Sequence, residues 1–256
     1  MSNAGGGRSA LTKHRRLYIK VGVVKARERT RLLMTIKKRL TPALSTALFL
    51  LTSIACHVVT IKLFKLFTGE PVVQENAYIV TKIMVVYLVV ISITFAIFTR
   101  FKLHWECFRP SKEMLAKDMK ISSILTAGAI ILMIIIRLVM NRISPEVAAR
   151  PAFGLYLWED TRWFYPFSAI LQEFFVKGIT EDNITASSDK YNRHFSVWMT
   201  ALFFFVLHMG YDLPMMFGAA VMCVITGYVY EKTRSIWGSV LLHFVVGFVP
   251  KMIGII

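Results

Sequence analysis

Apolar residues in this chain come in long blocks, broken by short polar clusters. A membrane-crossing helix needs about 20 mostly apolar residues. The first run of that length is Ala43–Phe67, behind Pro42 and ahead of Thr68-Gly69-Glu70-Pro71. The second is Tyr78–Thr99. The third is Ile121–Met140, with Arg137 near its end, where a long side chain can snorkel to the interface. Four shorter runs follow: Trp163–Ile179, Phe195–Met209, Leu213–Tyr230 and Ser235–Ile256. Short spans suit helices that tilt or gather round a polar site. The pattern predicts an all-α fold, a polytopic transmembrane bundle of about seven spans, within a range of roughly six to eight. Loops are expected at 100–120, at 180–193 and at Glu231–Arg234. The mixed stretch 141–162, with Tyr156 and Trp158 ahead of Trp163, has the composition of an interfacial belt.

Composition strengthens this picture. The chain is 55% apolar and 18% charged, against about 25% charged in ordinary soluble domains. Its mean hydropathy is +0.56. A soluble globule and a disordered chain are both excluded. Cys56, Cys107 and Cys223 are too few and too scattered for a disulfide framework or a CxxC knuckle.

Charge adds an orientation. Of the net +16, most lies in residues 1–40, which hold twelve Lys/Arg and the single acid Glu28. Residues 1–40 are therefore read as a basic cytoplasmic N-terminal extension, and 41–256 as one membrane domain. The loop 100–120 carries six bases and three acids and falls on the same side. The 180–193 loop also falls there without being basic. The segment from Leu17 to Leu40 can lie on anionic headgroups, so membrane lipids are expected partners. A juxtamembrane position explains the charge without nucleic acid, and none is expected. The expected location is the plasma membrane, with the N-terminus cytoplasmic. No secretory signal peptide is visible, because the first apolar run starts near Ala43.

Ionisable residues within spans are costly and are functional candidates by default. The last four spans hold Gln172, Glu173, Lys177, His208, His243 and Lys251, with Asp212 just past His208. Glu173 and Lys177 are i and i+4 and can pair on one helix face. Such a pair can be purely structural, or it can poise a general base. His208 and Asp212 have the same spacing, so Asp212 either orients the imidazole or caps the next helix at Leu213. Glu173, His208 and His243 can converge on a water or on a metal. His57 sits in the first span and is read as structural, with a different helix group.

Three islands resemble the CAAX protease and bacteriocin-processing family of intramembrane endopeptidases. The family's Glu-Glu-x-x-x-Arg motif is matched by Gln172-Glu173-Phe174-Phe175-Val176-Lys177, followed by Gly178. Its Phe-x-x-x-His is matched by Phe204-Phe205-Val206-Leu207-His208. Its His-x-x-x-Asn/Asp is matched by His243 with Gly247 at the last position, after the lead-in Ser235-Ile236. The resemblance covers about 160–250. It departs at Gln172, which cannot be a base, at Lys177, which lacks arginine's bidentate fork, and at Gly247, which has no side chain.

The resemblance implies a helical bundle with a polar cavity in which a peptide bond is hydrolysed. The substrate would be a membrane-associated or lipidated protein or peptide. Glu173 with His208 would deprotonate the attacking water, and His243 would donate to the oxyanion. Lys177 would hold Glu173, and Gln172 would position water or substrate. Phe204, Asp212 and Gly247 would support the site. No cofactor is expected. Zinc on Glu173, His208 and His243 is the first alternative. A catalytically degenerate binding or immunity protein is the second, favoured by Gln172 and Gly247. A transporter ranks below both, since no inverted repeat is visible.

Overall fold

The computed structural model describes residues 41–72, 76–154, 161–187 and 193–255. The basic extension 1–40 and the belt residues Tyr156 and Trp158 lie outside the described residues.

Every named element among the described residues is a helix. α1 spans Pro42–Thr68; the Thr41 hydroxyl accepts from Leu44 N–H, and Gly69 at φ 75° ends the helix in the left-handed region. α2 spans Ala77–Phe98. A 3₁₀ turn, Trp105–Phe108, lies in the loop that follows. α3 runs from Lys112 to Ile143. It starts well before the expected Ile121, because Ser111 accepts from Met114 N–H and nothing breaks the helix beyond it. Residues 112–120 of the expected polar loop are therefore helix. After α3 comes the short α4, Pro145–Ala149.

α5 (Thr161–Glu173) passes without a break into a π-helical segment, Phe174–Glu181, and then into α6, Asp182–Ala186. This single rod overruns the loop expected at 180–193. Glu181, Asp182 and Asn183 are all buried, so their polarity serves internal contacts. α7 (Arg193–Leu207), α8 (Leu213–Thr233) and α9 (Trp237–Met252) complete the bundle.

α1, α2, α3 and α8 are each long and apolar enough to cross a membrane, and α7 and α9 are shorter apolar helices. Leu51, Val86, Ile124, Ile131 and Leu138 stand exposed on the outer helices. Apolar surface of that extent requires lipid. The chain is an integral membrane protein with an all-helical fold.

α9 lies along α3 and against α5, and α7 lies along α8. Phe49, Phe101, Phe175 and Phe204 belong to one buried cluster between α1, the 99–104 loop, the rod and α7. Phe49 and Phe101 rings approach to 4.2 Å between centroids. Arg137 does not snorkel. It is 5% exposed and donates to the carbonyls of Val147 (2.6 Å), Gly254 (2.9 Å) and Arg150 (2.8 Å). It thus ties α4 and the end of α9 to α3.

Asp118 of α3 fixes α9 from the other end. Its Oδ2 accepts from Ser235 Oγ (2.6 Å) and from Gly238 N–H (2.8 Å), and its Oδ1 accepts from Ser122 Oγ (3.3 Å). A carboxylate at a helix N-terminus satisfies free amides and meets the positive end of the dipole. The helix that carries His243 is therefore clamped at both ends to α3.

Candidate active site

Glu173 ends α5 and is 1% exposed. Its Oε1 lies 2.7 Å from His243 Nδ1 on α9, also buried. Glu173 Oε2 has no hydrogen-bond partner. A buried carboxylate oxygen without a partner has a substantial desolvation cost unless something else meets it. Water or a substrate proton is the natural occupant of that lone pair.

His208 closes α7. Its Nδ1 lies 2.8 Å from the Phe204 carbonyl, an acceptor only. The proton is therefore on Nδ1, and Nε2 carries a lone pair in the neutral ring. The Phe204 ring packs edge-on against His208, 4.4 Å between centroids, and against His243, 6.1 Å. It stands as an apolar wedge touching both imidazoles. His208 lies in electrostatic range of His243 and of His57, and no direct bond joins it to Glu173 among the hydrogen bonds of the described residues.

His57 is not remote from this group. Its Nε2 meets the carbonyl of Met209, the residue after His208, at 3.1 Å, and its Nδ1 meets Tyr87 Oη at 3.1 Å. It braces the turn that ends α7.

Asp212 does not orient His208. It accepts from Met215 N–H at 2.9 Å and N-caps α8. The structure thus takes the capping alternative.

Lys177 does not bond Glu173 either. It is fully buried and donates to Glu181 Oε2 (3.2 Å) and to the Cys223 carbonyl (3.0 Å). Glu173 stays within its electrostatic range. Gly227 on α8 admits this pair: a Cβ there would lie 3.2 Å from Glu181 Oε2 and 3.3 Å from Lys177 Nζ. Gln172 turns away from the histidines. Its amide donates to Ser168 Oγ at 2.8 Å, and it helps line an apolar groove between α2 and the rod.

Beyond Lys177 the rod is knotted to its surroundings. Asn183 accepts from Lys102 N–H (2.9 Å) and donates to Lys102 O (2.7 Å). Asp182 accepts from Tyr230 Oη (2.8 Å) and pairs with Arg234 Nη2 (2.8 Å). The Gly178 carbonyl accepts from His104 N–H (3.0 Å). None of Glu181, Asp182, Asn183 or Asp118 was expected to be structural. Lys177 has a carboxylate four residues away in both directions, and that symmetry was the available signal for Glu181.

The zinc alternative would use Glu173, His208 and His243, each of which has one donor atom outside the hydrogen bonds described above. Among the described residues no three His, Cys, Asp or Glu are grouped to hold a metal ion.

A helical membrane bundle with a buried glutamate–histidine pair is thus in place. Residues 127–249 of the chain match the family model for type II CAAX prenyl endopeptidase Rce1-like proteins. The chain is similar to that family from the middle of α3 to within α9, and the resemblance carried by the three motif islands is borne out. No curated protein and no solved structure gives a match.

Proposed function

We propose that this protein is an intramembrane endopeptidase that hydrolyses a peptide bond of a membrane-associated or lipidated protein or peptide, without a metal. The observation that carries this reading is the buried Glu173–His243 pair, a carboxylate held by an imidazole between two helices.

In this mechanism Glu173 is the general base. His243 holds Oε1, so the carboxylate is oriented and its buried Oε2 is left to bond the attacking water. The His208 Nε2 lone pair accepts the other proton of that water and aligns it. The water oxygen attacks the carbonyl carbon while its proton passes to Glu173. Collapse of the tetrahedral intermediate breaks the C–N bond, and the Glu173 carboxyl returns its proton to the leaving amine. Burial among apolar helices strengthens each electrostatic contact. Lys177 neutralises Glu181 rather than Glu173, so its contribution to the base is at longer range. The plasma membrane, with residues 1–40 on the cytoplasmic side, is the location this reading favours.

The test is proteolysis of a pool of membrane proteins in liposomes, read by mass spectrometry, with Glu173→Gln beside wild type. New termini produced by wild type alone support the reading. Identical peptide maps from two folded proteins would replace it with a binding or immunity role.

A further inference from the structure

The pairing of Glu173 with His243 creates a deficit. When Glu173 is ionised, as a base must be, the proton between them sits on His243 Nδ1. The neutral ring then has only a lone pair at Nε2. It has no N–H left to give an oxyanion. His208 has likewise committed its single N–H, to the Phe204 carbonyl. Two neutral imidazoles thus leave the developing negative charge without a donor. Donors aimed at that charge are usually the largest single contribution to such catalysis.

One hydroxyl lies against the stretch of α9 that carries His243. Tyr165 of α5 reaches across to α9, and its Oη donates to the His243 carbonyl at 3.3 Å. The bond is long, and a carbonyl inside a helix already has an amide partner. The phenol ring meets the His243 ring edge-on, 6.3 Å between centroids. Tyr165 is also in electrostatic range of Glu173. The hydroxyl fits there because residue 247 is glycine: a Cβ built on Gly247 would coincide with Tyr165 Oη. Gly247 lies one helical turn beyond His243, on the same face of α9. The absence of a side chain at 247 is therefore filled, from another helix, by an O–H group.

We propose that Tyr165 is the oxyanion donor of this site, and that Gly247 is the notch that admits it. This rests on the hydrolytic reading above. As the water oxygen bonds to the carbonyl carbon, the C=O electron pair moves onto oxygen. The Tyr165 O–H turns from the His243 carbonyl to that oxygen. The phenol keeps its proton throughout, and on collapse the bond returns to the helix carbonyl. Only the Glu173 carboxyl gains and loses a proton.

The experiment uses the full chain in liposomes, with the substrate found by the proteolysis test. Tyr165→Phe removes one oxygen and is expected to lower kcat by about 10²-fold while KM changes little, as for loss of one oxyanion donor. Its melting temperature should stay near wild type. A second comparison moves the donor to the other helix: Tyr165→Ala/Gly247→Asn should regain activity over Tyr165→Ala alone by about tenfold. Full kcat in Tyr165→Phe, a change confined to KM, collapse of its melting temperature, or no gain from the asparagine would each overturn the proposal. A wild type that cuts nothing beside a folded Glu173→Gln removes the hydrolytic reading first, and this proposal with it. An active wild type with a fully active Tyr165→Phe removes this proposal alone.

Discussion

Glu173 and Glu181 lie on the same rod, both at or below 1% exposure, yet their surroundings differ in kind. Glu181 is matched by a full opposite charge: Lys177 sits 3.2 Å away, anchored by the Cys223 carbonyl at 3.0 Å. Glu173 is matched by a histidine instead, while each carboxylate keeps one oxygen without a hydrogen bond, Oε2 of Glu173 and Oε1 of Glu181. A buried charge with a permanent counter-charge is neutralised and inert. A buried charge held by an imidazole can accept a proton, because its partner can adjust. Burial depth alone does not separate the two; the identity of the partner does.

The comparison breaks first at Glu173 itself. Glu173→Gln keeps an oxygen for His243 Nδ1–H but cannot take a proton, so cleavage should fall by about 10³-fold with little change in melting temperature. Retained cleavage would make Glu173 as structural as Glu181. The reverse pattern is expected at the other carboxylate. Lys177→Met should strand a buried charge at Glu181 and destabilise the fold by about 3–5 kcal/mol, seen as a lower melting temperature in detergent. Adding Glu181→Leu should recover most of that loss; if it does not, the pair is more than a neutralised charge.

The clamp on α9 should give an intermediate effect on both readouts. Asp118→Ala removes the acceptor for Ser235 and Gly238 and should destabilise by about 2 kcal/mol. Because α9 carries His243, activity should fall with stability rather than ahead of it. Asp212→Ala should cost about 1 kcal/mol, the value of an N-cap, and leave cleavage nearly unchanged. A large loss of activity there would return Asp212 to the catalytic group. The smallest effect concerns Cys107, in the loop beside the rod. Burial, with the negative charge of Asp182 beside it, pushes its thiol up to about 12. A thiol-reactive maleimide at about pH 8 should leave it unmodified, since only the thiolate reacts.

The apolar spans were legible in the sequence to within a few residues, because lipid demands an unbroken apolar run and little else produces one. α1 and α2 show this: Ala43–Phe67 became Pro42–Thr68, and Tyr78–Thr99 became Ala77–Phe98. Polar segments were less legible. Hydropathy cannot tell a polar loop from a helix whose polar residues face one another, and 180–186 is the second kind. α3 has a readable N-cap at Ser111, but its apolar run begins only near Ile121, and hydropathy reports the run rather than the cap. At the site, Glu173 and the two histidines stood out as ionisable groups in apolar runs. Their pairing did not, since it depends on how three helices are rotated. Tyr165 carried no signal at all: its relevance comes from a gap at Gly247, on a helix 82 positions further along.

The π-helical segment Phe174–Glu181 begins just after Glu173 and ends on Glu181. Each residue along a helix turns the chain by about 100°. Dropping one residue within that segment would let it relax to ordinary α geometry, and everything beyond would rotate against everything before. Glu173 could keep His243, or Asp182 and Asn183 could keep Tyr230 and Lys102, but not both. Side chains in this stretch can be exchanged during evolution far more easily than its residue count can change. Insertions and deletions, rather than substitutions, are the events that this part of the molecule forbids.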